Sequence, residues 1–282
     1  MKNFFSMIAM LAVCSAAMAQ TPAVKGDVNG DGYVTTTDVT TLYNYLLIGD
    51  ETYAATSDVD GDGYITVGDI TVVYNIILGV TVEHEYVDLG LPSGTLWATM
   101  NVGAETPEDY GNYFAWGETT PKEVYGWTNY QWCNGKWNKL TKYCTKDTYG
   151  DNGFIDNKTE LDPEDDAATA NWGSEWCMPT KDQLDELYSE CSWQWTTSNN
   201  VDGILVTSNH NGATLFLPAS GYHFGTELYS TGTIAYYWSR TLYTARSYYA
   251  YYIYFHTSGN ISVTNGDRDT GYTVRAVRVS KN

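Results

Sequence analysis

The sequence predicts a multi-domain chain: a small all-α unit made of two loop–helix repeats, followed by a larger α+β, loop-rich domain. Three observations predict it. The twelve residues DVNGDGYVTTTD, 27 to 38, return as DVDGDGYITVGD, 58 to 69. Each copy runs directly into a segment whose apolar residues recur at helical spacing. Beyond residue 85 the composition turns to Trp and Tyr, in short alternating runs punctuated by Gly, Pro and Asn.

The first residues stand apart. Lys2 supplies a positive start, Phe4 to Val13 form an apolar run too short for a membrane span, and Ala17-Met18-Ala19 offers a small-residue cleavage site. Residues 1–19 are expected to be a secretory signal peptide. The chain would then be exported, to the extracellular space or the outer cell surface, with the periplasm left open. Leu11 to Cys14 forms a lipobox-like alternative, weakened by the bulk of Val13 before the cysteine. No other apolar stretch is long enough to cross a membrane, so no transmembrane span is expected. The net charge of −19 repels phosphate backbones, and no nucleic-acid partner is expected.

Without the signal, four cysteines remain: Cys133, Cys144, Cys177 and Cys191. Three disulfide pairings are open to them, with sequence neighbours suggesting Cys133–Cys144 and Cys177–Cys191, and buried free thiols stand as the alternative. Their spacing is not that of a zinc site.

The first domain is placed at residues 24–80. Seven carboxylates within two short loops repel one another unless a cation neutralises them. The spacing is that of an EF-hand-like loop, with oxygen ligands at positions 1, 3, 5, 7, 9 and 12 and glycine at position 6. In the first loop these are Asp27, Asn29, Asp31, the backbone carbonyl of Tyr33, Thr35 and Asp38, around Gly32. In the second they are Asp58, Asp60, Asp62, Tyr64, Thr66 and Asp69, around Gly63. The expected cofactor is calcium, two ions. Aspartate at position 12 replaces the usual glutamate and, one carbon shorter, needs the helix start closer to the metal. After the loops, Val39, Leu42, Tyr43, Leu46 and Leu47 form one apolar stripe, and Ile70, Val73, Tyr74, Ile77 and Leu78 the other. The two stripes are expected to pack on each other, because neither repeat can bury its own.

A calcium loop with a single helix, duplicated and ending on aspartate, resembles the type I dockerin family over residues 27–79. The resemblance implies a module that needs calcium to fold and plugs into a cohesin-type protein partner, in a polysaccharide-degradation or cell-surface setting. Loop positions 10 and 11 of that family help to choose the partner. Here they are Thr36 and Thr37 in one repeat and Val67 and Gly68 in the other, so the two faces are expected to bind unequally.

The second domain is placed at residues 84–282. Thr180 and Gln183 form a capping box that opens a helix with Leu184, Leu187 and Cys191 on one side. Residues 203–218 predict a hairpin turning at Asn211-Gly212, and Thr273 to Val279 predicts a strand. The stretches VDLGLPSGTLWATMNVGA, YGNYFAWGE, WCMPTKDQLDEL, LFLPASGY, YYWSRTL and GYTVRAVRV occur in order. Together they resemble the Fibrobacter succinogenes major paralogous domain, which implies a C-type-lectin-like scaffold and leaves the reaction, if any, unnamed.

No catalytic constellation is legible. His84, His210, His223 and His256 are scattered, and neither a G-x-S-x-G elbow nor an H-E-x-x-H motif occurs. Glu118, Asp182 and Glu186 are candidates for a carboxylate pair only if folding brings two of them together. The segment SYYAYYIYFHTSGN, 247 to 260, is read as a strand. One row is Tyr249, Tyr251, Ile253 and Phe255, facing the core; the other is Tyr248, Tyr252, Tyr254 and His256. If exposed, Tyr248, Tyr252 and Tyr254 are the expected contacts for a glycan or protein ligand. The functional expectation is a non-catalytic, calcium-binding exported protein, attached through its first domain and presenting a recognition domain. A carbohydrate-active component (an O-glycosyl hydrolase) and a structural surface protein remain as alternatives.

Overall fold

The computed structural model describes residues 24–59, 65–79 and 83–279. The signal segment and the lipobox-like stretch lie outside these. In the first part, α1 (Thr36–Ile48) and α3 (Val67–Leu78) are the two repeat helices, with the short α2 (Ala54–Ser57) between them. Both open on the same device. Thr35 accepts from the Thr37 amide while the Asp38 carboxylate accepts from Thr35 N at 2.8 Å; Thr66, Gly68 and Asp69 repeat the arrangement. These bonds satisfy amides that have no partner within the first turn of a helix. Both helices end on a left-handed residue, Gly49 (φ 70°) and Gly79 (φ 63°), a conformation that glycine adopts without a steric penalty.

Their shared core is small: Val28, Val39, Leu42, Val59, Ile70 and Val73. Only part of each predicted stripe is buried. Leu47 and Leu78 are 77% and 69% exposed, and Tyr43, Leu46 and Tyr74 are also exposed. The fully buried stripe residues lie in the first two turns of each helix; beyond Val73, Ile77 still packs against the core, partly buried.

The second part is dominated by β structure. Its central sheet contains β3 (Tyr113–Phe114), β9 (Ile234–Leu242), β10 (Tyr249–His256), β11 (Ile261–Asp267) and β12 (Tyr272–Thr273), in the order β11-β10-β9-β12-β3. A second sheet orders β1 (Tyr86–Asp88), β2 (Thr95–Ala98) and β13 (Val277–Val279). A third is the meander β4 (Cys191–Ser198), β5 (Val201–Ser208) and β6 (Thr214–Pro218), and β7 (Tyr222–Phe224) pairs with β8 (Glu227–Tyr229). Two helices, α4 (Ala167–Trp172) and α5 (Lys181–Glu190), complete the region.

The central sheet is covered on both faces. On one, Ala235, Tyr237, Ile253 and Phe255 pack with Leu184 and Leu187 of α5 and with the meander. On the other, Trp238, Ala250 and Tyr272 pack with Phe114, Trp116 and Ala167 and Ala168 of α4. Strand periodicity produces this division, because alternate residues point to opposite faces. The long loops before α4 are pinned by Arg268, which is fully buried. It donates to Tyr130 Oη, Tyr143 O, Ser247 O and Lys142 O and lies over the ring of Trp116.

The Thr180–Gln183 capping box and the β5–β6 hairpin form as the sequence predicts. Three expectations are corrected. The strand expected over Thr273–Val279 is two, β12 and β13, because the chain leaves the central sheet through buried Val274–Ala276 and joins β2. Cys191 ends α5 in an extended conformation (φ −126°, ψ 157°) and begins β4. The suggested disulfides are not formed: all four cysteines are free. Cys133 and Cys144 donate to the carbonyls of Trp127 and Lys146, and burial raises the Cys191 thiol to about 11.

Candidate cation loop and tyrosine face

The first loop is organised by its own amides. Asp31 N donates to both Asp27 Oδ1 and Asn29 Oδ1 at 3.0 Å, Gly32 N to Asp27 Oδ2 at 2.8 Å, and Tyr33 N to Asp31 Oδ1 at 2.9 Å. These side chain–backbone turns gather Asp27, Asn29 and Asp31 on one short curve. Each oxygen keeps a lone pair beyond the one its amide uses. Asp38 differs. It is fully buried, and its carboxylate accepts from Val28 N at 2.8 Å, Asn29 N at 3.1 Å and Thr35 N. It therefore closes the loop onto the helix. Thr35, expected as a ligand at position 9, is the N-cap of α1.

In the second loop Asp69 holds Val59 N at 2.6 Å and Thr66 N at 2.7 Å, the same clasp. Asp60, Asp62 and Tyr64 lie outside the described residues, and Asp58 flanks them. Among the described residues no group of three or more His, Cys, Asp or Glu stands close enough to hold a metal ion in this geometry. The donor set of the first loop nonetheless fits a hard divalent cation: every side-chain donor is oxygen, and the local amides already orient Asp27, Asn29 and Asp31. A bound cation would offset the repulsion of the clustered carboxylates.

The expected partner-facing residues sit in the first turns of the helices. Thr36 and Thr37 are exposed, Val67 is 65% exposed and Gly68 is half-buried. The hydroxyls of this region are partly engaged within their own repeat. Thr40 and Thr41 donate to Thr36 O and Thr37 O, and the Thr37 hydroxyl bonds that of Thr35 and accepts from Asn29. Among the described residues of the second repeat, Thr71 donates to Val67 O and the Thr66 hydroxyl accepts from Gly68 N.

The aromatic row divides differently from the sequence expectation. Tyr248 precedes β10 and packs in a separate cluster with Trp137, Tyr149 and Tyr249, at 4.9, 5.0 and 4.5 Å between ring centres. It falls outside the row because β10 begins only at Tyr249. Ile253 and Phe255 are core, but Tyr249 and Tyr251 are only half-buried; Tyr251 lies against Tyr243 and under the Lys181 ammonium.

Tyr252 and Tyr254 do share a face, and three tyrosines from other strands join them. Tyr236 of β9 is central, stacked on Tyr272 at 4.6 Å and Tyr254 at 6.1 Å, with Tyr252 and Tyr222 edge-on at 5.4 Å. Tyr222 stacks in turn on Tyr229, which is 41% exposed. Burial raises Tyr252 to about 12, so its phenol stays protonated at neutral pH. The face is a set of aromatic rings bearing hydroxyls, with Tyr222, Tyr236, Tyr252 and Tyr254 half-buried. Sequence reasoning missed Tyr222, Tyr236 and Tyr272 because they come from three separate strands, and no local spacing joins them.

The first part is thus a duplicated loop–helix unit, with oxygen donors gathered in its first loop and, among the described residues, a small buried apolar core. Residues 25–78 match the family model of the dockerin type I domain. The match ends before the β-rich region. No curated protein and no solved structure matched the chain. Among the described residues no helix is long and apolar enough to cross a membrane.

Proposed function

We propose that this chain is an exported attachment-and-recognition protein. Residues 25–78 dock onto a cohesin-type module once calcium is bound, and the β-rich domain presents a ligand-recognition face. The observation that carries the first half is the match to the dockerin type I domain over a segment whose repeats share one capping geometry. Type I dockerins bind calcium. Two ions are proposed here, held by Asp27, Asn29, Asp31, Tyr33, Thr35 and Asp38 in one loop and by Asp58, Asp60, Asp62, Tyr64, Thr66 and Asp69 in the other.

The unequal first turns support a single docking orientation, with Thr36 and Thr37 on one side of the module and Val67 and Gly68 on the other. In the second domain, the C-type-lectin-like reading rests on the six resembling stretches. Four of them meet in the sheets: β3 pairs with β12, β12 with β9, and β13 with β2. Tyr254, with Tyr236 and Tyr229, is the proposed ligand contact. Tyrosine rings with free hydroxyls suit sugar or protein surfaces, because they offer rigid apolar area together with hydrogen bonds. Tyr252 supports that face from below, and Tyr248 belongs to its own cluster. A polysaccharide-degrading or cell-surface setting follows from the docking half.

The test is a binding assay of the full chain on immobilised type I cohesins, in calcium and again in chelator. Saturable capture that chelator abolishes supports the reading. Equal signal in both conditions, or none to any cohesin tried, removes the docking half.

A further inference from the structure

A cavity of about 400 Å³ opens in the β-rich region beside the chain that follows α4, and its lining includes Thr169, Trp176, Cys177, Arg240 and Arg278 together with one acid, Glu175. Arg240 comes from β9 and Arg278 from β13, so two sheets deliver two guanidinium groups to one hollow. Their side chains are 22% and 23% exposed. Each has one carboxylate at ion-pair distance, and neither pair closes to hydrogen-bond contact. Arg240 donates through Nη2 to Leu161 O at 3.0 Å, while its Nε is buried without a hydrogen-bond partner, and the Glu160 carboxylate is 3.5 Å away. Arg278 stands 3.6 Å from the Glu175 carboxylate and over the rings of Tyr86 and Trp176.

Charge-assisted N–H···O bonds normally close to roughly 2.7–2.9 Å, so both pairs are loose. Their carboxylates are about half exposed, at 48% and 49%, and Glu175 is itself a lining residue. The third acid nearby, Asp166, is fully buried and already accepts from the amides of Ala168, Thr169 and Met178. Arg268 is the contrast: buried for structural reasons, it donates to four oxygens.

We propose that this cavity binds an oxyanion borne on a small ligand, the carboxylate of a uronic acid or the sulfate of a sulfated sugar. A guanidinium matches such groups with charge-assisted bonds, and Arg240 Nε makes no hydrogen bond, its nearest carboxylate oxygen standing at 3.5 Å. The volume suits a single sugar unit. On a chain of net charge −19, an anion needs local cations to approach at all, and the two arginines supply them. The sugar half of the proposal rests on the recognition reading above; anion capture does not, because the cavity and the tyrosine face share no residue.

The test is calorimetric titration of the full chain with galacturonic acid, its methyl ester, galactose 6-sulfate and galactose. Maleimide labelling of Cys177 serves as a second readout. Galacturonate or the sulfate should bind, whichever is tighter naming the source, and should slow Cys177 labelling. The neutral sugars should bind at least about tenfold more weakly, as lost charge-assisted bonds require. Arg278→Gln should weaken the anion at least about tenfold while retaining the native near-ultraviolet spectrum. Tyr254→Ala should leave anion binding unchanged, which separates this site from the tyrosine face. Equal binding of galactose, or neither binding nor Cys177 protection by either anion, overturns the proposal. Protection in the unmutated chain decides the matter even if Arg278→Gln fails to fold.

Discussion

The imidazole of His84 lies flat on the indole of Trp172, ring centres 3.7 Å apart and planes 11° apart, with the Trp176 ring edge-on at 6.1 Å. His84 was expected at the very edge of the second domain; the stack makes it a structural member of that domain. Burial lowers its pKa to about 4, so the folded state holds it neutral. The unfolded chain binds a proton near pH 6.5. Between those values the unfolded state holds more protons, so this group makes stability rise as pH rises from about 4 to about 6.5. His84→Phe keeps the stack and should flatten that part of the melting-temperature profile, whereas His84→Ala should lower the melting temperature throughout. An unchanged profile in His84→Phe contradicts the assignment.

Asp269 should act in the opposite sense. It is 1% exposed, its Oδ1 has no hydrogen-bond partner, and burial, helped by Asp267, lifts it to about 7. The folded state therefore retains a proton that the unfolded state releases near pH 4, and stability falls as pH rises from about 4 to about 7. Asp269→Asn should remove this decline and make the domain more stable at pH 8 than the native chain, read by thermal melts at several pH values. A variant less stable at pH 8 would falsify the account.

The two roles of acid in the first loop can be separated. Asp38→Ala strips an acceptor from three amides, Val28, Asn29 and Thr35, and should cost about 1–3 kcal/mol even at saturating calcium. Asp31 is exposed and bonded to loop neighbours, so the loss in Asp31→Ala should be largely recovered as calcium is raised. Chemical denaturation of both variants at low and at saturating calcium checks this; identical behaviour would show that the loop does not divide clasp from ligand.

On the tyrosine face, Tyr252 lies edge-on to Trp238 at 5.7 Å and Tyr272 at 5.1 Å, whereas Tyr254 contacts Tyr236 alone among the rings. Tyr252→Ala should cost about 3 kcal/mol of stability, as removal of a large packed ring does. Tyr254→Ala should cost less than about 1 kcal/mol and act on ligand capture instead. Glycan-array binding beside thermal melts distinguishes the two. A Tyr254→Ala variant that binds normally removes Tyr254 from the site.

Much of the first module was legible because its rules are local. The loop spacing, the threonine caps and the terminal glycines each act within a few residues, and duplication states them twice. The extent of helix packing was not legible: whether Leu46 or Leu47 is covered depends on where the partner helix ends. In the second domain the capping box at Thr180 and the hairpin at Gly212 were likewise local. The two-faced central sheet was not, since β12 reaches its place between β9 and β3 from the far end of the chain. Nor does anything local mark Arg268 and Arg275, which are both buried and solvated by carbonyls up to 177 residues away in sequence. The tyrosine rows failed at one end, Tyr248, because periodicity does not say where a strand begins.

The central claim is that calcium closes a small module whose core of six apolar residues is too slight to hold clustered carboxylates unaided. Scanning calorimetry of the full chain, in calcium and then in chelator, tests it most directly. Two transitions are predicted, with the one assigned to residues 25–78 by the Asp27→Ala, Asp58→Ala double variant lost in chelator and the other unmoved. A module transition at the same temperature with and without calcium would contradict the claim.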